Sequence, residues 1–302
     1  MIAAASAFLL ALCLTLYPLA AMRYNTEHQS MIHTQYEQVM EQVDDSELRR
    51  ERQLSEAYNA MLVPGTQEEA FSEAALLSAR NEYANRLNFS GNGIMGYVRI
   101  PKIQAVLPIY HGTSETTLEI GVGHLLGSSL PIGGVSTHTV LTGHSGMASQ
   151  KMFSDLPDLE LGSLFYLDVL GETLAYHVDQ IETVLPHDSS LLEIVNGEDH
   201  CTLVTCTPFG VNTHRLLVRG TRVPLPEENS KVVELPDEVP GSSTWEFQYL
   251  KGILWGIVGA VSIALVFLLG NRFFRHRSGG KYAARGRRKH PSSRRYRGNY
   301  AR

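Results

Sequence analysis

From Gly91 to Pro224 the chain is broken into short runs of β-forming residues divided by turn signals, and this texture constrains the fold more than any other feature. The runs cover residues 94–100, 105–109, 137–143, 164–170, 174–184, 201–206 and 215–223, with Gly133-Gly134 and Leu170-Gly171-Glu172 among the turns between them. Many short strands with little helix between them must hide their edges, and a closed or nearly closed β-barrel does so. The expected fold class is therefore mainly β.

The flanks read differently. From Thr26 to Val63 apolar residues recur at helical spacing: Ile32, Tyr36, Val39, Val43, then Leu54, Tyr58 and Leu62. Asp44 with Glu47 three residues later reads as a capping box that restarts a helix, and Pro64-Gly65 ends it. Thr66-Gln67-Glu68-Glu69 opens a third helix that reaches to about Leu87. This arm is either a stalk that lifts the body off a membrane or a regulatory segment folded onto it.

Two stretches, 2–22 and 252–270, carry no charge, and each is near the roughly 20 residues needed to cross a bilayer. The first also reads as a cleaved signal peptide, through Leu19-Ala20-Ala21-Met22. After Gly270 come 12 basic residues and no acid, so residues 1–270 hold 14 basic residues against 31 acidic ones, a formal −17 beside a tail of +12. Basic residues just past an apolar span mark the cytoplasmic side, next to anionic lipid, which favours a membrane over nucleic acid as the tail's partner. The expected divisions are a transmembrane anchor or signal segment over 1–24, a helical arm or lid region over 25–90, the catalytic barrel over 91–226, a linker over 227–250, a transmembrane helix over 251–270 and a basic cytoplasmic tail over 271–302.

The chain has three cysteines. Cys13 lies in the first apolar span, while Cys201 and Cys206 share one strand. Five residues of strand cover roughly 16 Å, beyond disulfide reach, and an odd offset puts the two thiols on opposite faces. An exported protein without a pairable cysteine keeps a thiol free for another purpose.

Three segments could supply that purpose. Thr139 to Gly146, TVLTGHSG, is a strand ending in a Gly-flanked His144; Thr202 to Cys206, TLVTC, ends in Cys206; Thr213-His214-Arg215 opens a strand with Arg215. A thiol attacks a carbonyl once it reaches the thiolate or loses its proton to a base, and an imidazole serves as that base and then protonates the leaving amine. A guanidinium offers donors to the oxyanion without losing its charge. Asn212 could orient the imidazole. Each residue also has an ordinary alternative: a buried thiol, a turn histidine, an edge charge. No C-x-x-C or H-E-x-x-H spacing suggests a metal site.

Together these segments carry a family resemblance. TLVTC resembles the TLxTC signature of sortases, and TLVTCTPFGVNTHRLLVRG (202–220) is similar to the form in class C, the pilin-polymerising sortases. GYVRIPKI (96–103), LPIYHGTSE (107–115), GVGHLLGSSLPIGG (121–134) and THTVLTGHSG (137–146) resemble the same class, and the likeness runs over roughly 54–224. The resemblance implies an eight-stranded sortase-type barrel with an N-terminal helical arm and flanking transmembrane helices. It also implies Cys206 as nucleophile, His144 as general acid/base and Arg215, rather than Arg219, as the oxyanion and substrate stabiliser. The implied reaction cuts an LPxTG-like sorting signal through a thioacyl intermediate, with no cofactor. The acceptor is then an amine: a pilin lysine in class C, or a peptidoglycan amine in other classes. A hydrolase, with water as acceptor, is a further reading, as is a non-enzymatic surface protein that is itself a sortase substrate. The stretch from Leu185 to His200 is the expected wall of the signal-binding groove, and the catalytic body is expected on the extracellular face of the cell membrane. Class C members usually carry a lid with an Asp-Pro-aromatic triplet. Here Pro64 lies between Val63 and Gly65, and Phe71 is the only aromatic residue between Tyr58 and Tyr83, so that triplet is missing.

Overall fold

The computed structural model describes residues 34–62, 81–145, 150–226 and 251–260, with residue 262 and a few isolated positions before 25. The chain divides into two units, Met1–Asp237 and Glu238–Arg302. In the second, the described part is helix over 251–260. Among the described residues no helix is long and apolar enough to cross a membrane. The flanking transmembrane helices are therefore not part of the described fold; most of 2–22, residues 261 and 263–270, and all of 271–302 lie outside it.

The first unit is a closed barrel of eight strands behind a helical arm. Its elements are α1 (Asp45–Leu62), β1 (Ile94–Ile100), β2 (Ala105–His111), α2 (Glu115–Leu118), β3 (Val122–His124), β4 (Thr137–Thr142), β5 (Leu164–Val169), β6 (Glu172–Val184), β7 (Asp199–Thr207) and β8 (His214–Val223). Around the barrel the order is β1-β2-β3-β4-β7-β8-β6-β5, with β5 returning to β1. The β2–β3 and β4–β7 pairs are parallel and the rest antiparallel. Seven strands match the runs read from sequence; β3 is the eighth, a three-residue strand that sequence patterning did not reveal.

Local chemistry sets these joints. Leu170 (φ 55°) and Gly171 (φ 74°) both have positive φ, as a two-residue hairpin demands, and they join β5 to β6 with Val169 opposite Glu172. Alternate residues of each strand face inward, so Ile100, Ile109, Leu141, Phe165, Leu167, Leu203 and Val218 form one core with Cys201 among them.

The arm is folded onto the barrel rather than standing off it. Asp44 caps α1, its Oδ1 accepting from Ser46 N at 2.7 Å, one residue short of the Glu47 that a capping box would engage. Tyr58 and Tyr83 join the barrel core. Asn59 mimics a strand, with Oδ1 accepting from Leu130 N at 2.7 Å and Nδ2 donating to Leu130 O at 3.3 Å. Residues 81–85 are helical, as expected for the end of the third helix, but its start, with Pro64, Gly65, the second capping box and Phe71, lies outside the described residues.

Candidate active site

The site forms where β4, β7 and β8 end together. In the parallel β4–β7 pair, Thr142 lies beside Val204, and Gly143 N continues the ladder to Val204 O at 3.0 Å. Continuing that register by two residues brings His144 alongside Cys206. In the antiparallel β7–β8 pair Cys206 is the direct partner of Arg215. The structure thus gathers the three residues expected from sequence into one row across three neighbouring strands.

Hydroxyls tie the turn to the strand. Thr205 Oγ1 donates to Gly143 O at 2.8 Å, and Ser145 Oγ donates to Cys206 O at 2.7 Å. One bond falls on each side of His144. Phe153 supports the turn from below, its N donating to His144 O at 3.0 Å while its ring is fully buried. Gly143 makes this possible, because a Cβ there would meet Phe153 Cδ2 at 2.7 Å. These contacts hold His144 and Cys206 on a rigid frame.

The two strand thiols differ as their faces predict. Cys201 points into the core, fully buried, and burial, with the Asp199 carboxylate adding to it, raises its thiol well above the usual range, which keeps it protonated and inert. Cys206 is half-buried at the open end. The two arginines of β8 also differ. Arg219 is engaged by Asp179 through Nε at 3.1 Å and Nη2 at 2.7 Å. Burial pushes the Asp179 carboxyl up, but hydrogen bonds from Arg219 and Thr221 outweigh it, so it falls below the usual carboxylate range. Arg215 meets only carbonyls among the described residues, Nη1 donating to Asn212 O at 3.3 Å and His214 O at 3.1 Å. Its charge is therefore available to a ligand.

Asn212 engages Arg215 through its main chain, and the sequence reading of its side chain as the orienter of the imidazole finds no bond here. The group beside His144 is instead Glu115 of α2, with Oε1 at 3.6 Å from Nε2. The sequence reading missed this residue, whose one signal is an acid in the first turn after Ser114, as on any exposed helix.

Running away from Cys206 on the same face, Val204, Leu217 and Val140 make an apolar floor, against which Leu125, Val184, Leu191 and Leu192 pack. Leu191 and Leu192 belong to the β6–β7 connection, the wall expected over residues 185–200, whose last two residues prove to be the start of β7. The connection is tied down at its far side by His138, which bonds Glu193 O through Nδ1 at 2.9 Å and Thr202 Oγ1 through Nε2 at 2.7 Å. Burial lowers the His138 imidazole to about 4 despite the Glu193 bond, so Nδ1–H donates to the carbonyl and the bare Nε2 accepts from the hydroxyl. Among the described residues no group of three or more His, Cys, Asp or Glu is placed to hold a metal.

A thiol, an imidazole and a guanidinium with no acidic partner among the described residues, set beside an apolar cluster, have the chemistry that acyl transfer needs. The comparisons agree. Residues 98–223 match the sortase domain family. The chain is 44% identical to sortase C1 from Streptococcus agalactiae, covering 65% of this chain and 100% of that one with a TM-score of 0.61. It is 48% identical to sortase C1 from Streptococcus suis, covering 58% and 97% with a TM-score of 0.52. Among curated proteins it is 32% identical to sortase D of Bacillus subtilis, over 42% of this chain and 63% of the relative. It is 27% identical to sortase A of S. agalactiae serotype III, over 50% and 59%. The chain thus matches less than two thirds of the length of these curated relatives.

Proposed function

The chain belongs to the class C sortases, and from that premise we propose that it is a membrane-held cysteine transpeptidase that joins exported proteins through an LPxTG-like sorting signal. The observation that carries this reading is the row His144, Cys206, Arg215 across β4, β7 and β8.

In this reaction the Cys206 sulfur attacks the carbonyl of the Thr–Gly bond. The resulting oxyanion is met by the Arg215 guanidinium. His144 protonates the departing glycine amine, the C–N bond breaks, and a thioester remains on Cys206. An incoming amine, here a pilin lysine, attacks that thioester. It gives its proton to His144 and forms an isopeptide bond, and the Cys206 sulfur is released. The Leu-Pro part of the signal lies on the Val140, Val204 and Leu217 floor, walled by Leu191 and Leu192. The chemistry uses no cofactor.

The two apolar spans hold the barrel at the outer face of the cell membrane, and the basic tail lies in the cytoplasm. The deciding experiment offers an LPxTG peptide together with lysine-bearing and oligoglycine amines and reads the products by mass spectrometry. The lysine adduct is expected. An oligoglycine adduct points to peptidoglycan anchoring, and a free carboxylate alone points to hydrolysis.

A further inference from the structure

The crossover from β2 to β3 carries α2, and β3 runs beside the end of β4, with Gly123 opposite Thr142, two residues before His144. The topology therefore hangs α2 over the imidazole. Its seat is tight: a Cβ at Gly123 would lie 2.4 Å from Gly112 O and 3.0 Å from Leu118 Cδ2, so only a glycine lets α2 pack this closely on β3. Gly112 N in turn donates to the buried Tyr83 hydroxyl at 2.9 Å.

The Glu115 side chain does nothing for this packing. It is 78% exposed, against 25% for His144. Ser114 already caps the helix, its Oγ accepting from Thr117 N at 3.2 Å. Among the described residues the Glu115 carboxylate has no partner besides His144 Nε2. On the strands next to His144 stand Cys206 of β7 and, beyond it, Arg215 of β8, while Glu115 of α2 is the charged group in contact with the ring. A carboxylate at one ring nitrogen fixes how the ring is turned and which nitrogen is left for chemistry.

We propose that Glu115 is a positioning residue for the acyl transfer: its carboxylate steadies the His144 ring from the Nε2 side and leaves Nδ1 free to serve the sulfur and the departing amine. This rests on the role given to His144 above. The pair is open to solvent, so its effect is modest and sensitive to salt.

The test uses the full chain in detergent micelles and follows cleavage of an LPxTG peptide at low and high ionic strength. In Glu115→Gln kcat should fall about two- to five-fold at low salt, with KM little changed. Glu115→Asp should recover part of the loss. High salt should lower the wild-type kcat toward that of Glu115→Gln and leave the variant in place. Equal kcat and equal salt response in the two proteins overturn the inference. So does a fall in kcat in Glu115→Gln with no salt dependence in the wild type, the mark of a merely structural role. A loss confined to aminolysis of the thioester overturns it too, since Glu115 would then meet the incoming amine. Cys206→Ala run alongside separates the two levels: residual thioacyl formation there refutes the site itself, whereas a dead Cys206→Ala with an unchanged Glu115→Gln refutes only the role of Glu115.

Discussion

Cys206 and Arg215 face each other directly across the antiparallel β7–β8 pair, so thiol and guanidinium rise from the same side of the sheet at its open end. The proposed nucleophile and the charge proposed to meet its oxyanion are thus fixed to each other by the pairing of the two strands.

Cys206→Ala should abolish thioacyl formation, whereas Cys201→Ala should keep most activity and lose some stability through the gap it leaves in the core. Labelling with a thiol-reactive sulfonate, followed by peptide mapping, reads this out. Modification confined to Cys201 would sink the assignment.

Arg215→Lys should fold normally and lose on the order of 10²-fold in kcat, the scale of one lost oxyanion donor. Arg219→Lys weakens a forked pair with Asp179 away from the thiol and should leave kcat within a few-fold. Peptide cleavage by the two variants side by side decides which arginine serves the reaction.

Gly143→Ala puts a methyl group 2.7 Å from the Phe153 ring and pushes on the turn that carries His144. A displacement near 1 Å costs on the order of 10²-fold in rate, so kcat should fall far more than KM rises. Phe153→Leu in the same chain should restore part of kcat, which steady-state kinetics of the double variant measures.

His124 is fully buried, and burial lowers its imidazole to about 4, as it does that of His138; His200 is lowered in the same direction. The unfolded chain takes up these protons near 6.5 while the folded chain refuses them until about 4. More protons are then bound unfolded, so stability should fall as pH drops from about 6.5 toward 4, by about 2–3 kcal/mol for each fully buried ring. Thermal midpoints across that window test this, and His138→Gln should flatten the slope.

On intact protoplasts, protease should remove the barrel and spare the basic tail, as read by antibodies to each end. A mature N-terminus near residue 23 would reassign the first span as a signal peptide.

Much of the barrel was legible because seven strands carry alternation or β-branched runs long enough to register. β3 escaped because three residues, Val122 to His124, cannot display a period, and its parallel pairing with β2 arises only through the α2 crossover. That Cys206, His144 and Arg215 come together was legible only from their places at strand ends taken with the family resemblance, which preferred Arg215 to Arg219. Glu115 was not, because an exposed first-turn acid is ordinary on any helix and gains meaning only from what the fold hangs beneath it. Asn212 lies near the site in sequence, yet its carbonyl is spent on Arg215.

Tyr83 shows where this domain can be cut. Its hydroxyl meets His124 Nδ1 at 2.9 Å, donates to His124 O at 3.1 Å and accepts from Gly112 N, and with Tyr58 and Leu87 it fills the side of the barrel core. The sortase domain match begins at residue 98, and a boundary drawn there would strip all three side chains away and leave an apolar trench facing water. The smallest piece of this chain able to stand alone therefore starts well upstream of its first strand, and what reads in sequence as a detachable handle is the outer wall of the fold.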